Sequence, residues 1–334
     1  MLQVRIHGPD DVRVDDVAEP DPGPADAVVA VAACGICGSD LSYIRMGGLG
    51  GPGPMCLGHE IAGTVDWVGD HVTSVRPGDR VVVQPGDDEI GRIGNGAPEG
   101  GLTPRLLVTG VDRGRLHRIP DDMALDVAAF AEPLGVGMHA VEQADVQPGD
   151  GVCVFGCGPI GLAAVATLAD LGIDRVVAVD PSPTRRDLAL RLGAQEAVDP
   201  STADVWSALA DVHGAKPFSF GPTPATAAFI EATGAASVIG DIVDHAGVGA
   251  RLSVVAVHYE PVPTSYLMVL MKELTIRGSI EYPARFADAI DLLARRDLTA
   301  ALTHRVDLER FDEALDLLRG SKDCGKVLVT MPGA

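Results

Sequence analysis

Val152-Cys153-Val154-Phe155-Gly156-Cys157-Gly158-Pro159-Ile160-Gly161 passes from four apolar residues through a glycine-rich turn into the alanine-rich segment Ile160 to Leu171. Such a run reads as a strand covered on both faces, and the segment after the glycines reads as a helix. G-x-G-x-x-G between a strand and a helix is the pattern of a dinucleotide site. Gly156 permits the tight turn, Gly158 lets backbone approach a pyrophosphate, and Gly161 lets helix lie close on strand. Pro159 and Ile160 open the helix, whose N-terminus then faces the phosphates. Asp180 ends the next apolar run, Arg175 to Asp180. A carboxylate there accepts from both ribose hydroxyls and repels a 2′-phosphate, which favours NAD over NADP. Arg185 and Arg186 follow closely enough to serve a 2′-phosphate instead, and an ordinary structural turn is the plain alternative for the glycines.

Outward from this motif the chain divides. From about residue 133, strands alternate with helices, as in a parallel sheet covered by helices. After Thr184 to Leu192, read as a helix, the alternation continues through 229–232, 237–244, 251–257 and 274–280. The first ~120 residues instead show short β-branched runs broken by Gly and Pro, at 2–6, 12–14, 27–33, 61–68, 79–83 and 105–108, which predicts a compact, mostly antiparallel β unit. Residues 283–296 and 308–318 have helical apolar spacing, and Lys326 to Thr330 reads as a closing strand that returns to the first unit. The expected division is therefore 1–132 with 278–334, and 133–277. His213 to Pro224, with three prolines, reads as loop.

The 334 residues carry 46% hydrophobic and 22% charged side chains and a net charge of −21. This describes a globular chain with an aliphatic core. The acidic balance, without a cluster of Lys and Arg, argues against a nucleic-acid partner. No apolar run is long enough to span a membrane and the N-terminus has no signal-like stretch, so a cytoplasmic protein is expected. Six irregularly spaced cysteines do not suggest a disulfide framework. Cys34 and Cys37 form a CxxC, but they follow an extended run rather than opening a helix beside a βαβ unit, which speaks against a redox pair.

Cys37 in Gly35-Ile36-Cys37-Gly38-Ser39-Asp40, with His59 and Glu60 in Gly58-His59-Glu60, offers a thiolate, an imidazole and a carboxylate, the donor types zinc accepts. Taken singly, Cys37 reads as a small buried hydrophobe and His59 as a satisfied core residue. Glu132, in Ala131-Glu132-Pro133-Leu134, is a carboxylate in an apolar stretch and needs a partner. Asp40 serves equally well as an orienter of His59 or as a helix cap. His139 reads as structural, and the position of His258 relative to the cofactor cleft is open.

Together with Pro54 to Glu60, Val75 to Val81, Pro148-Gly149-Asp150 and Gly156 to Leu162, these motifs run in order along nearly the whole chain. The chain resembles the zinc-containing medium-chain dehydrogenase/reductase family, within it the sorbitol, butanediol and related polyol dehydrogenases. The resemblance implies an α/β architecture: a Rossmann doubly wound parallel sheet for the cofactor, and a mostly β, GroES-like catalytic domain. It implies one catalytic zinc held by Cys37 and His59. Glu132 replaces a third-ligand cysteine, bound directly or through water, and Glu60 engages or releases the metal. It further implies Ser39 as proton acceptor, hydride transfer between a secondary alcohol, polyol or ketone and NAD, and a homodimer or homotetramer, with 274–280 a candidate for joining sheets. Tyr43 and Met46 to Gly51 are expected to line the substrate pocket, while the glycines read equally well as a flexible surface turn.

There are two departures. Residues 84–104 lack the four cysteines that hold a structural zinc in many relatives, so none is expected. Relatives often carry a histidine three residues after the serine matching Ser39, to pass the proton outward, whereas Ser42 stands there in this chain. A zinc-free NADPH reductase of quinones or activated double bonds, and a catalytically silent dinucleotide-binding sensor, are the competing functions.

Overall fold

The computed structural model describes residues 1–51, 53–86, 91–320 and 323–332. Strand Val152–Phe155, fully buried, lies at the centre of a six-stranded parallel sheet. Across that sheet the strands run Glu196–Val198, Val176–Val179, Val152–Phe155, Ala228–Glu231, Arg251–Val254 and Thr275–Gly278. In chain order this is 3-2-1-4-5-6, the doubly wound arrangement whose order reverses between strands one and four. The reversal opens a crevice at the carboxyl ends of Val152–Phe155 and Ala228–Glu231, and the glycine turn sits there.

The turn is built as its spacing predicts. Gly156 has φ +89°, a left-handed conformation that costs a residue with a Cβ. A Cβ on Gly161 would lie 1.7 Å from the Gly156 carbonyl oxygen, so helix Pro159–Asp170 can approach the strand only because that side chain is absent. A Cβ on Gly158 would meet nothing within 4 Å, which leaves its backbone open to a ligand. Pro159 begins the helix where a missing N–H costs nothing.

The other unit centres on a seven-stranded sheet. Strand Ala27–Gly35 pairs with Glu60–Val68 along one side; on the other it meets Arg105–Val108 and then Lys326–Thr330. Lys326–Thr330 pairs in parallel with Leu302–Asp307, with helix Phe311–Gly320 between them in sequence. The closing strand therefore returns to the first sheet. Leu2–Gly8, Asp11–Asp16 and Met55–Cys56 form a small sheet beside it. Helix Ala131–Gln143 joins the two units, with its residues sharing one apolar cluster with Ala33, Ala62 and Val82 on one side and Val152 and Val154 on the other.

Several elements differ from the sequence expectation. Helix Val205–His213, capped by Asp204, and the short strand Glu196–Val198 lie where no element is expected. Residues 213–224 are not pure loop: Ala215–Lys216 pairs with Thr223–Pro224 in a small hairpin, and the prolines do keep helix out. Glu132 lies within the first turn of helix Ala131–Gln143. The helix that Asp40 is expected to cap begins at Gly38, so Asp40 lies inside its first turn.

Candidate active site

Strand Ala27–Gly35 ends at the N-terminus of helix Gly38–Met46, and Cys37 occupies its N-cap. His59 and Glu60 lie at the start of the neighbouring strand Glu60–Val68, which the register Gly35↔Glu60 brings level with Cys37. One donor atom from each of Cys37, His59 and Glu60 lies within 4.8 Å of the others. Gly35 makes room for this: a Cβ there would lie 1.8 Å from Glu60 Oε2.

Asp40 performs both roles its position suggests. Its Oδ2 accepts the Cys37 N–H at 2.9 Å, capping the helix, while Oδ1 faces His59 Nδ1 at 3.6 Å. That contact turns Nε2 of His59 towards a ligand role. Burial opposes a charge on His59, but the Asp40 carboxylate and the Cys37 sulfur outweigh it and hold the imidazole well above its ordinary pKa.

Glu60 is fully buried, and Lys326 Nζ donates to its Oε1 at 2.5 Å and to the Ile36 carbonyl at 3.0 Å. Lys326 is itself 2% exposed. Glu60 Oε2, Asp40 Oδ1 and His59 Nδ1 are buried with no hydrogen-bond partner among the described residues. An unpaired buried polar atom costs about 1–3 kcal/mol; Asp40 Oδ1 and His59 Nδ1 face each other, which leaves Glu60 Oε2, with the Cys37 thiol and the other imidazole nitrogen beside it, as what a bound cation would satisfy. The residues present therefore fit zinc.

Glu132 faces this group from helix Ala131–Gln143 but lies outside the three-residue cluster. Tyr282 Oη donates to its Oε1 at 2.8 Å. Burial pushes the Glu132 carboxyl up to about 7; His59 pulls it the other way and Glu60 adds to the rise. Ser39 is half-buried one residue before Asp40, with Tyr43 one helical turn further on. Ser42 Oγ donates back to the Gly38 carbonyl at 3.4 Å. Cys34 lies on the strand, fully buried, and burial raises its thiol well above the usual range.

Asp180 is buried at the end of strand Val176–Val179. Its Oδ2 accepts the Cys157 N–H and its Oδ1 the Ser182 N–H, both at 2.8 Å, which ties the acid to the glycine turn. Arg185 Nε donates to the Cys324 carbonyl at 2.9 Å. Arg186 meets Asp199 at 3.1 Å and also donates to the Asp180 and Pro181 carbonyls. His139 stays on its own helix, 3.0 Å from Glu142 Oε2. A hollow of about 590 Å³ beside Trp206, Phe218, Phe220 and His245 contains none of these residues.

Residues 23–114 match the alcohol dehydrogenase GroES-like domain family, and residues 159–295 match the zinc-binding dehydrogenase family. Human sorbitol dehydrogenase is 32% identical over 340 residues, an alignment covering 95% of this chain and 92% of that protein. The chain belongs to the zinc-containing medium-chain dehydrogenase/reductase family. It lies on the polyol dehydrogenase-like side of that family. The (R,R)-butanediol dehydrogenase of Neisseria gonorrhoeae is 31% identical over 362 residues, covering 98% of this chain and 99% of that one. The crystal structure of 2R,3R-butanediol dehydrogenase from Bacillus subtilis matches with a TM-score of 0.86 at 27% identity, over 98% of this chain and 99% of that chain. This medium-chain dehydrogenase is an oxidoreductase of small alcohols or polyols that uses a nicotinamide dinucleotide.

Two residues of the site escape sequence reasoning. Lys326 gives one faint signal, a charge opening the strand Lys326–Thr330, whose first four residues are buried. Tyr282 gives none, because its partner Glu132 is 150 residues away. Among the described residues, no helix is long and apolar enough to cross a membrane.

Proposed function

We propose that this protein is a cytoplasmic dehydrogenase that moves hydride between a secondary alcohol or polyol and NAD, with one catalytic zinc. The observation that carries the reading is the convergence of Cys37, His59 and Glu60, with Glu60 Oε2 buried and unpaired among the described residues. Cys37 and His59 are the constant ligands. Glu60 is an exchangeable one that Lys326 holds by its other oxygen, and Glu132 completes the site directly or through water. Zinc held there would supply a Lewis acid that lowers the pKa of a substrate hydroxyl, and a bound nicotinamide dinucleotide would supply the hydride acceptor.

The remaining work falls to the chain. Ser39 accepts the hydroxyl proton. Ser42 is not next in line, because its hydroxyl turns back to the Gly38 carbonyl. Gly156, Gly158, Pro159, Ile160 and Gly161 present backbone to the pyrophosphate at a helix N-terminus. Asp180 accepts from the adenosine ribose with the lone pairs its two amide partners leave free. The engagement of Arg186 with Asp199 and with the Asp180 and Pro181 carbonyls, and of Arg185 Nε with the Cys324 carbonyl, supports NAD. Residues 1–132 with 278–334 form the catalytic unit and 133–277 the cofactor unit.

A second copy of the chain is proposed to pair along the sheet edge. Strand Thr275–Gly278 is exposed throughout, and Tyr266, Leu267, Leu270 and Ile280 around it are exposed apolar side chains. A bare edge of this kind invites another strand.

Metal analysis of the purified protein, with an absorbance screen at the NADH band over sugar alcohols, diols and secondary alcohols, tests the reading. The expected result is about one zinc per chain and NADH formation with at least one member of the panel. A metal-free active protein would remove the zinc, and activity with the phosphorylated cofactor alone would remove NAD. Ser39→Ala is expected to lower turnover sharply at unchanged zinc content; unchanged turnover removes Ser39 from the proton path.

A further inference from the structure

Glu231 ends strand Ala228–Glu231, on the far side of the crevice from the adenosine-binding strands, and is fully buried. Three of its atoms hold loops in place. Its carbonyl accepts the Val255 and Ala256 N–H groups at 3.0 and 3.2 Å. Oε1 accepts the N–H groups of Thr233 and Gly234 at 2.7 and 3.0 Å. Oε2 meets His258 Nε2 at 2.9 Å. The loops after strands four and five are thereby fastened to one residue, and that residue borders the glycine turn: a Cβ on Gly156 would lie 2.8 Å from the Ala232 carbonyl oxygen.

A stability role accounts for Oε1 and for the contact of His258 Nε2 with Oε2, but it leaves the other ring nitrogen unused. The ring spends Nε2 on the carboxylate, while Nδ1 has no hydrogen-bond partner among the described residues and is not sealed from solvent. Because Glu231 Oε2 is an acceptor, Nε2 carries the hydrogen, and Nδ1 of the neutral ring is left as an acceptor. A dinucleotide with its pyrophosphate at Gly156–Gly161 and its adenosine towards Asp180 must lead its other half across strands four and five, where His258 stands. The next residue, Tyr259, lies close enough to Tyr43 of the catalytic unit to influence its ionisation. His258 thus lies in the loop after strand Arg251–Val254, held beside Glu231 at the crevice.

We propose that His258 binds the nicotinamide half of the cofactor: anchored through Nε2 on Glu231, it accepts a hydrogen bond at Nδ1 from the carboxamide NH2. This fixes the rotation of the ring and so the face it turns towards the substrate. The inference rests on the cofactor site proposed above and adds a side chain to its nicotinamide end.

Direct binding, independent of turnover, tests it. NADH is titrated by fluorescence and ADP-ribose, which lacks the nicotinamide, by competition, for the wild type, His258→Phe and His258→Asn. His258→Phe is expected to weaken NADH about tenfold, the equivalent of ~1.4 kcal/mol, and to change ADP-ribose less than about twofold. His258→Asn, whose amide oxygen falls near the place of Nδ1, is expected to recover most of the loss. The 3-acetylpyridine analogue of NAD, which has no NH2, should bind wild type and His258→Phe alike. Equal weakening of NADH and ADP-ribose would reduce the pair to a structural latch, and unchanged NADH binding in both variants would remove the contact. If the wild type binds only the 2′-phosphorylated cofactor, the NAD reading fails while this one is decided by the same comparison with NADPH and 2′-phospho-ADP-ribose.

Discussion

The glycine turn at 156–161 acts through backbone within one six-residue stretch, whereas Cys37, His59 and Glu60, Glu132, and Lys326 converge from four separated segments. The turn needs the absence of side chains and tolerates little added volume. The metal cluster needs particular side chains and a buried charge to balance them. One region therefore fails by crowding and the other by loss of a partner.

The largest effects should separate the two regions cleanly. Cys37→Ala is expected to abolish turnover and zinc retention while NADH still binds. Gly161→Ala, which brings a methyl against the Gly156 carbonyl, is expected to abolish NADH binding while zinc stays. Elemental analysis and fluorescence titration of both variants check this, and loss of both ligands in either one would show that the regions are not independent.

Next in size is the balance of charge inside the metal cluster. Lys326→Met leaves Glu60 buried without its cation, and breaking a buried pair in this way costs about 3–5 kcal/mol. Chemical denaturation should record that loss, and the double variant Lys326→Met with Glu60→Gln should regain most of it. A single variant as stable as wild type would mean that Glu60 is already neutral.

The smallest effect is a pH slope in metal-free protein. Glu132 is held at about 7 in the fold against an ordinary 4.5, chiefly by burial. The folded state thus keeps a proton that the unfolded chain gives up. Its contribution to stability is fully present below the unfolded pKa and is lost as pH rises through about 7, a change of about 3 kcal/mol. Denaturation midpoints measured across that window should fall in wild type and stay flatter in Glu132→Gln. Parallel slopes in the two would exclude Glu132 as their source.

The same contrast explains what the sequence made legible. The glycine turn is readable because its requirements are local: a buried strand, three glycines at fixed offsets and a proline opening the helix. Cys37, His59 and Glu60 are readable as donor types, but their convergence depends on the register Gly35↔Glu60 between two strands. Lys326 belongs to the site through a sheet closed by the far end of the chain, and a lysine beside Gly325 otherwise reads as surface. Strand Leu302–Asp307 escapes notice because His304 and Arg305 interrupt its apolar residues at an edge. Helix Val205–His213 has an Asp204 cap and buries Val205 and Leu209, a signal present but short.

Lys326 also sets an order of events during synthesis. Every ligand candidate and the entire cofactor sheet precede it in the chain, so the dinucleotide crevice can close while Glu60 still lacks its counter-charge. A nascent chain that has not reached Lys326 leaves Glu60, once buried, without its counter-charge, and its sheet without the strand that pairs with Ala27–Gly35.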